Sequence, residues 1–263
     1  MRTIAVASQK GGVGKTSMVQ NLGFEMARLG HRVLLVDFDP QSNLTIGFGV
    51  DPNSDEHLNV FDALQDPKKS KKAVVNVRPN IDLLPASLDL AAAELTFVNA
   101  YTDRHAKLRN VLARLSGYDV VLIDCPPSLG FFTVNGLAAA NEVLIPLQCH
   151  VYPFKALDQL LPIIEEVSKV NPDLELGGIA LTMWDPRNNL TQAVEENVRQ
   201  RFGKLVFQTQ IPINVRVAEA PLDGQCVVEM APMSKGALAY AALAQEVNHA
   251  QASRTQQKVG VAA

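Results

Sequence analysis

Lys10, Gly11, Gly12, Val13, Gly14, Lys15 and Thr16 form one unbroken run near the N-terminus, and together they have the chemistry of a phosphate cradle. Glycines let a backbone curl so that successive N–H groups converge on an anion, and a helix start behind them adds a positive dipole end. Lys15 then neutralises phosphate charge, while the Thr16 hydroxyl suits a Mg²⁺ ion. Ser17 follows at the head of the helix, so Gly11 to Ser17 make up the anion-binding set, with Lys10 at its entrance. The common form of this loop has a glycine where this chain has Gln9. One lysine suffices to hold a β/γ-phosphate in cis, so Lys10 needs an explanation of its own.

Two groups of carboxylates complete the inventory. Asp37 and Asp39 follow the apolar run Arg32 to Val36, and Asp124 closes the run Asp119 to Ile123. Runs without polar alternation are strands covered on both faces, and acidic residues at their carboxyl ends stand where open α/β sheets bind ligands. Mg²⁺ keeps waters that a carboxylate can hold, which gives Asp124 a metal-side role exercised through water. As turn formers or helix caps, the same aspartates would be unremarkable one at a time. Pro126 and Pro127 impose a stiff bend directly behind Asp124.

The elements that must position these residues alternate along the chain. Strands are predicted over Thr3–Ala7, Arg32–Val36, Ile81–Pro85, Asp119–Asp124, Glu142–Pro146 and Leu176–Met183, with short ones near Val206 and Ile211. Helices are predicted over Ser17–Leu29, Leu88–Val98, His105–Leu115, Ala156–Val170, Thr191–Phe202 and Lys235–Asn248. Gly47 to Arg78 reads as irregular, and its lysines at 68, 69, 71 and 72 read as a solvated cluster. The expectation is a single α/β P-loop NTPase domain over residues 1–250, a twisted and mostly parallel sheet flanked by helices on both faces. Residues 251–263 lack an apolar stripe and are expected to be a disordered tail.

Bulk properties narrow the function classes. Hydrophobic residues make up 47% of the 263 and charged ones 19%, enough for a large core and too little charge for global disorder. A net charge of −3 argues against a uniformly basic coat for nucleic acid or membrane, so any DNA contact must come from a local patch. Three cysteines, Cys125, Cys149 and Cys226, are widely spaced, which suits a reducing cytoplasm and gives no CxxC metal spacing. Neither a secretion signal nor an apolar run of the ~18–20 residues needed to span a bilayer is visible.

Lys10–Thr16, Val36–Thr45 (VDFDPQSNLT) and Ile123–Gly130 (IDCPPSLG) resemble the ParA/Soj family of partition ATPases, within the MinD-like group with a deviant phosphate loop. The likeness continues through Pro146–Cys149, Leu181–Leu190, Ile211–Arg216, Ala218–Pro221 and Ser234–Ala237, nearly the whole chain. It implies ATP and Mg²⁺ as cofactors, with Lys10, Lys15, Asp39 and Asp124 as the catalytic set. Asp39 would position the attacking water, Thr16 would ligate the metal, and Lys10 would reach the partner's nucleotide across an ATP-dependent homodimer. Pro212 and Asn214 would lie at the adenine, with Met183 nearby, though a stiff loop and a turn asparagine account for them equally well. Arg187 and Arg216 would contact DNA non-specifically. The family often has an arginine where this chain has Ile213, a departure that weakens the patch or shifts it to Arg199, Arg201 or Lys204.

The function implied is segregation of chromosome or plasmid copies by a cytoplasmic, nucleoid-associated ATPase whose hydrolysis a ParB-type centromere-binding protein stimulates. Three alternatives stand beside it. One is a similar cycle that positions another cargo, and another is a MinD-like membrane-cycling ATPase, for which the last residues carry little bulky hydrophobe. The third is an iron–sulfur ATPase using Cys125 or Cys149.

Overall fold

The computed structural model describes residues 1–98, 104–150 and 153–261. Its strands are β1 (Arg2–Val6), β2 (Val33–Asp37), β3 (Val75–Arg78), β4 (Ile81–Leu84), β5 (Val120–Asp124), β6 (Glu142–Gln148), β7 (Glu175–Trp184) and β8 (Val206–Pro212). The helices up to the middle of the chain are α1 (Lys15–Arg28), α2 (Asn43–Gly47), α3 (Val60–Gln65), α4 (Ser70–Ala73), α5 (Leu90–Val98), α6 (Lys107–Leu112) and α7 (Phe131–Ala139). Those that follow are α8 (Pro153–Ser168), α9 (Asn189–Phe202), α10 (Val215–Glu219), α11 (Val227–Met230) and α12 (Lys235–Val261).

One eight-stranded sheet runs β3-β4-β2-β5-β1-β6-β7-β8. Every neighbouring pair is parallel except β3 with β4, so the expected mostly parallel α/β sheet is what forms. β1 lies between β5 and β6, so the order reverses around it and leaves a crevice beyond its carboxyl end.

Strand alternation explains why the central runs contain no polar residues. Ala5, Leu34, Val36, Val121 and Ile123 feed one core, packed beneath α3, α6, α7, α8 and α9. Their neighbours Ile4, Val6, Val33, Leu35 and Leu122 feed a second core on the opposite face, beneath α1 and α12. Gly23 lets α1 lie close, because a Cβ there would come 2.6 Å from Leu35 Cδ2. Arg2 and Glu142, both buried, pair at 2.7 Å and tie together the feet of β1 and β6.

Two readings change. The stretch from Gly47 to Arg78 is structured rather than irregular, holding α3, α4 and the antiparallel edge strand β3. These pieces are too short to show a period, and α3 is instead announced by a capping box between Asn59 and Asp62. The two short strands near Val206 and Ile211 are one strand, β8. α12 is drawn on to Val261, through most of the segment expected to be a tail. That segment has no apolar stripe, but its Ala, Gln, Arg and Lys residues favour helix intrinsically.

Candidate functional site

The loop after β1 enters the crevice and ends on α1, whose N-cap is Gly14 with φ 91°. Gly12, with φ 72°, makes the other left-handed turn; nothing lies within 4 Å of a Cβ at either position. Backbone conformation, rather than space, therefore requires glycine there. On one flank the Thr182 hydroxyl donates to Val13 O at 2.9 Å, fastening the loop to β7. On the other, a Cβ at Gly11 would lie 4.0 Å from Pro127, so the proline bend behind Asp124 walls the loop.

Lys15 is only 7% exposed, and its ammonium reaches back to Lys10 O at 3.5 Å. Burial lowers its pKa, while the carboxylates of Asp124 and Asp39 pull the other way. The structure thus brings Lys15, Asp39 and Asp124 within electrostatic reach, as the sequence motifs predict. Thr16 stands beside Asp124, and its hydroxyl favours the ionised carboxyl without closing a bond of good geometry. Lys10 is exposed at the mouth of the loop.

Asp124 is the most strained electrostatic position. Burial, and then the charge of Asp37, push its pKa well above the carboxylate range. Neither of its oxygens has a hydrogen-bond partner. Among the described residues, five buried side-chain oxygens share that condition: Gln9 Oε1, Ser42 Oγ, Ser87 Oγ and both of Asp124. All five lie at the carboxyl ends of parallel strands: Asp124 closes β5, and the other three residues follow β1, β2 and β4. Buried polar atoms are seldom left unpaired, and a hydrated cation beside Asp124 would satisfy the two that cost most. No cluster of three or more His, Cys, Asp or Glu suited to a metal occurs among the described residues. Thr16 and Asp124 therefore fit an ion that keeps water and phosphate ligands, as Mg²⁺ does, and not one held by a protein cage.

The acidic loop after β2 is tightly built. Asp37 is fully buried with a pKa pushed up to about 6, first by burial, against hydrogen bonds from Thr45 and Asp39 N. Asp39, 7% exposed, accepts from Gln41 N at 3.0 Å. Ser42 turns the chain with φ 54°, a left-handed conformation costing a non-glycine residue about 1–3 kcal/mol. Sequence reasoning named Asp39 here but not the partner of Asp37, which is Thr45, eight residues on and in the middle of α2.

The expected base-side residues sit at the ends of β7 and β8. Trp184 and Pro212 are in register, and Met183 takes φ 51° where the register of these two strands shifts. Asn214 caps α10, accepting from Arg216 N at 2.9 Å. Arg187 and Arg216 lie just beyond these same two strand ends, both exposed. Each is paired within its own turn, Arg187 with Asp185 at 2.9 Å and Arg216 with Glu219 at 2.9 Å. The alternative basic residues differ. Arg199 is committed to Glu195 and to the carbonyls of Phe207 and Val206, and Arg201 bonds Asp158 while lying over Phe154 and Phe202. Lys204 is exposed. All three cysteines are buried free thiols, and burial raises the pKa of each, Cys149 to about 12.

Residues 1–176 match the AAA domain family. The chain is similar to the chromosome-partitioning ATPase Soj of Thermus thermophilus, at 46% identity over 94% of this chain and 95% of that one. It is similar at 42% identity, over 94% of both chains, to the chromosome partitioning protein ParA of Caulobacter vibrioides. In fold it matches a Mycobacterium smegmatis protein named cobyrinic acid a,c-diamide synthase, solved with a bound ATP analog and magnesium, with a TM-score of 0.81 and 38% identity over 93% of each chain. A glycine loop at the switch point, two acidic strand tips facing its lysine, and sequence likeness along nearly the full length agree: the chain belongs to the ParA/Soj family of partition ATPases.

Proposed function

We propose that this chain hydrolyses ATP with Mg²⁺ and uses the nucleotide to switch a homodimer on and off DNA, so that chromosome or plasmid copies are segregated with a ParB-type partner. The observation that carries the catalytic part is the meeting of Lys15, Asp39 and Asp124 around the glycine loop, with both Asp124 oxygens unpartnered. In-line phosphoryl transfer asks a protein for positioning and charge stabilisation rather than covalent chemistry. Backbone N–H groups from Gly11 to Ser17 and the Lys15 ammonium cradle the phosphates. Thr16 and Asp124 are the residues that would hold Mg²⁺, which would offset phosphate charge. Asp39 orients the attacking water.

Lys10, exposed at the loop mouth, is free to reach the partner's nucleotide, where two triphosphates facing each other need extra positive charge. Pro212, Asn214 and Met183 stand for the adenine, and Arg187 and Arg216 for DNA phosphates. Their present ion pairs are solvent-exposed and weak, and phosphate can replace a carboxylate without readout of bases. Among the described residues, no helix is long and apolar enough to cross a membrane.

The test is DNA binding with ATP, with ADP and without nucleotide, titrated with salt. Binding with ATP only, falling steeply with salt, is the expected result. Binding that ignores the nucleotide, or none in any state, defeats the proposal.

A further inference from the structure

Thr45 is a buried residue that the chemistry above does not use. Its backbone N–H donates to Asp37 Oδ2 at 2.8 Å, and its hydroxyl donates to the same oxygen at 2.7 Å. The hydroxyl oxygen accepts in turn from Ala86 N at 2.9 Å. Asp37, Thr45 and Ala86 are all fully buried. This chain of bonds joins the tip of β2, the body of α2 and the segment leaving β4. It also closes the loop that carries Asp39.

Apart from the turn bond that Ser42 N donates to its carbonyl at 2.9 Å, the ties of Asp39 itself are slight. Its carboxylate accepts from Gln41 N two residues on, and its amide donates to Asp37 Oδ1 at 3.3 Å. The left-handed turn at Ser42 would relax if its surroundings allowed it. What prevents this is the anchoring of α2 at both ends. The Asp37–Thr45 clasp holds its front, and Gln20 of α1 holds its rear by donating to Gly47 O at 2.5 Å. Gln20 belongs to the helix that opens at Lys15, so the acidic loop and the glycine loop share one frame.

We propose that Thr45 is a positioning residue for hydrolysis: by clasping Asp37 it fixes where the Asp39 carboxylate stands relative to Lys15. This rests on Asp39 being the water-orienting group, and a shift of about 1 Å in such a group can cost on the order of 100-fold in rate. Thr45→Val keeps the branched shape and removes the hydroxyl; Thr45→Ser keeps the hydroxyl. ATP affinity, kcat, KM and amide exchange are measured for both beside the unaltered protein. Thr45→Val is expected to lower kcat about 10- to 100-fold, with ATP affinity within about threefold and faster exchange confined to residues 38–45. Thr45→Ser is expected to stay within about threefold of the unaltered protein on every readout. Should Thr45→Val not fold, Thr45→Ala removes the hydroxyl together with the methyl, and Thr45→Ser remains its control because it lacks the methyl alone.

An unchanged kcat in the hydroxyl-less variant overturns the proposal. So does equal damage in Thr45→Ser, or a kcat loss matched by lost ATP affinity and exchange that rises throughout α1. Asp39→Ala separates the two levels: if it retains turnover, the reading of Asp39 fails and this proposal with it. If it loses turnover while Thr45→Val does not, only the role of Thr45 fails.

Discussion

Asp37 and Asp124 stand in register at the ends of adjacent parallel strands, two buried carboxyls side by side with only one of them hydrogen-bonded. Both have raised pKa values, Asp37 to about 6. A carboxyl whose folded-state pKa exceeds its unfolded value takes up a proton on folding between the two. Its neutral form therefore supports the fold at low pH, and for Asp37 that support is lost as pH rises through about 4 to 6. Without added nucleotide or metal, the protein is expected to melt higher at pH 5 than at pH 7. Asp124→Asn removes one of the two titrating carboxyls and should weaken the pH dependence and raise stability at pH 7 while abolishing Mg²⁺-dependent turnover. Thermal melts across pH, with and without Mg²⁺ and ATP, check both halves.

The two loop lysines differ in burial, so their loss should differ in kind. Lys15→Ala removes a buried cation at the phosphates and is expected to weaken ATP binding about 10- to 100-fold. Lys10→Ala is expected to leave ATP affinity within about threefold and to prevent the ATP-dependent dimer. Nucleotide titration and light scattering, run on the same preparations, distinguish them.

Asp39→Ala should retain ATP binding, the dimer and DNA while turnover falls by about 100-fold or more, the scale of losing a group that handles the attacking water. Loss of nucleotide binding instead would show that Asp39 shapes the pocket and does no chemistry.

Arg187→Glu with Arg216→Glu is expected to remove ATP-dependent DNA retention and leave basal hydrolysis intact. With the milder Arg→Gln pair, the slope of log affinity against log salt should shrink by about 0.9 for each phosphate that is no longer neutralised. An unchanged slope would place the DNA surface elsewhere, with exposed Lys204 the first position to examine.

Trp184 is the single tryptophan of the chain; its indole donates to Glu195 at 2.8 Å and it faces Pro212 across β7 and β8. ATP added to the unaltered protein should therefore change its fluorescence, and Lys15→Ala should suppress the change at the same ATP concentration. A signal that does not respond to saturating ATP would separate Pro212 and Asn214 from the base.

The sheet and its ligand end were readable because uninterrupted apolar runs such as Val33–Val36 and Val120–Ile123 have no other stable home than a strand buried on both faces. The glycine loop was readable because its residue types are dictated by backbone geometry at Gly12 and Gly14. What was not readable depends on bonds between residues distant in sequence. Thr182 steadies Val13 across 169 residues and Thr45 supports Ala86 across 41, and neither spacing leaves a local pattern. Asn214 shows the opposite limit: its type fits a helix cap and an adenine contact alike, and the fold displays the cap.

The bond from Thr182 to Val13 has a consequence for how information can move through the molecule. Thr182 lies near the end of β7, and Arg187 follows five residues later in the turn beyond it. At about 3.3 Å per residue, Thr182, which holds Val13 through one hydrogen bond, and the outer arginine are separated by roughly 17 Å of chain. Val13 and the turn of Arg187 are thus joined by one hydrogen bond and the last residues of one strand, with Met183 and its left-handed backbone between them.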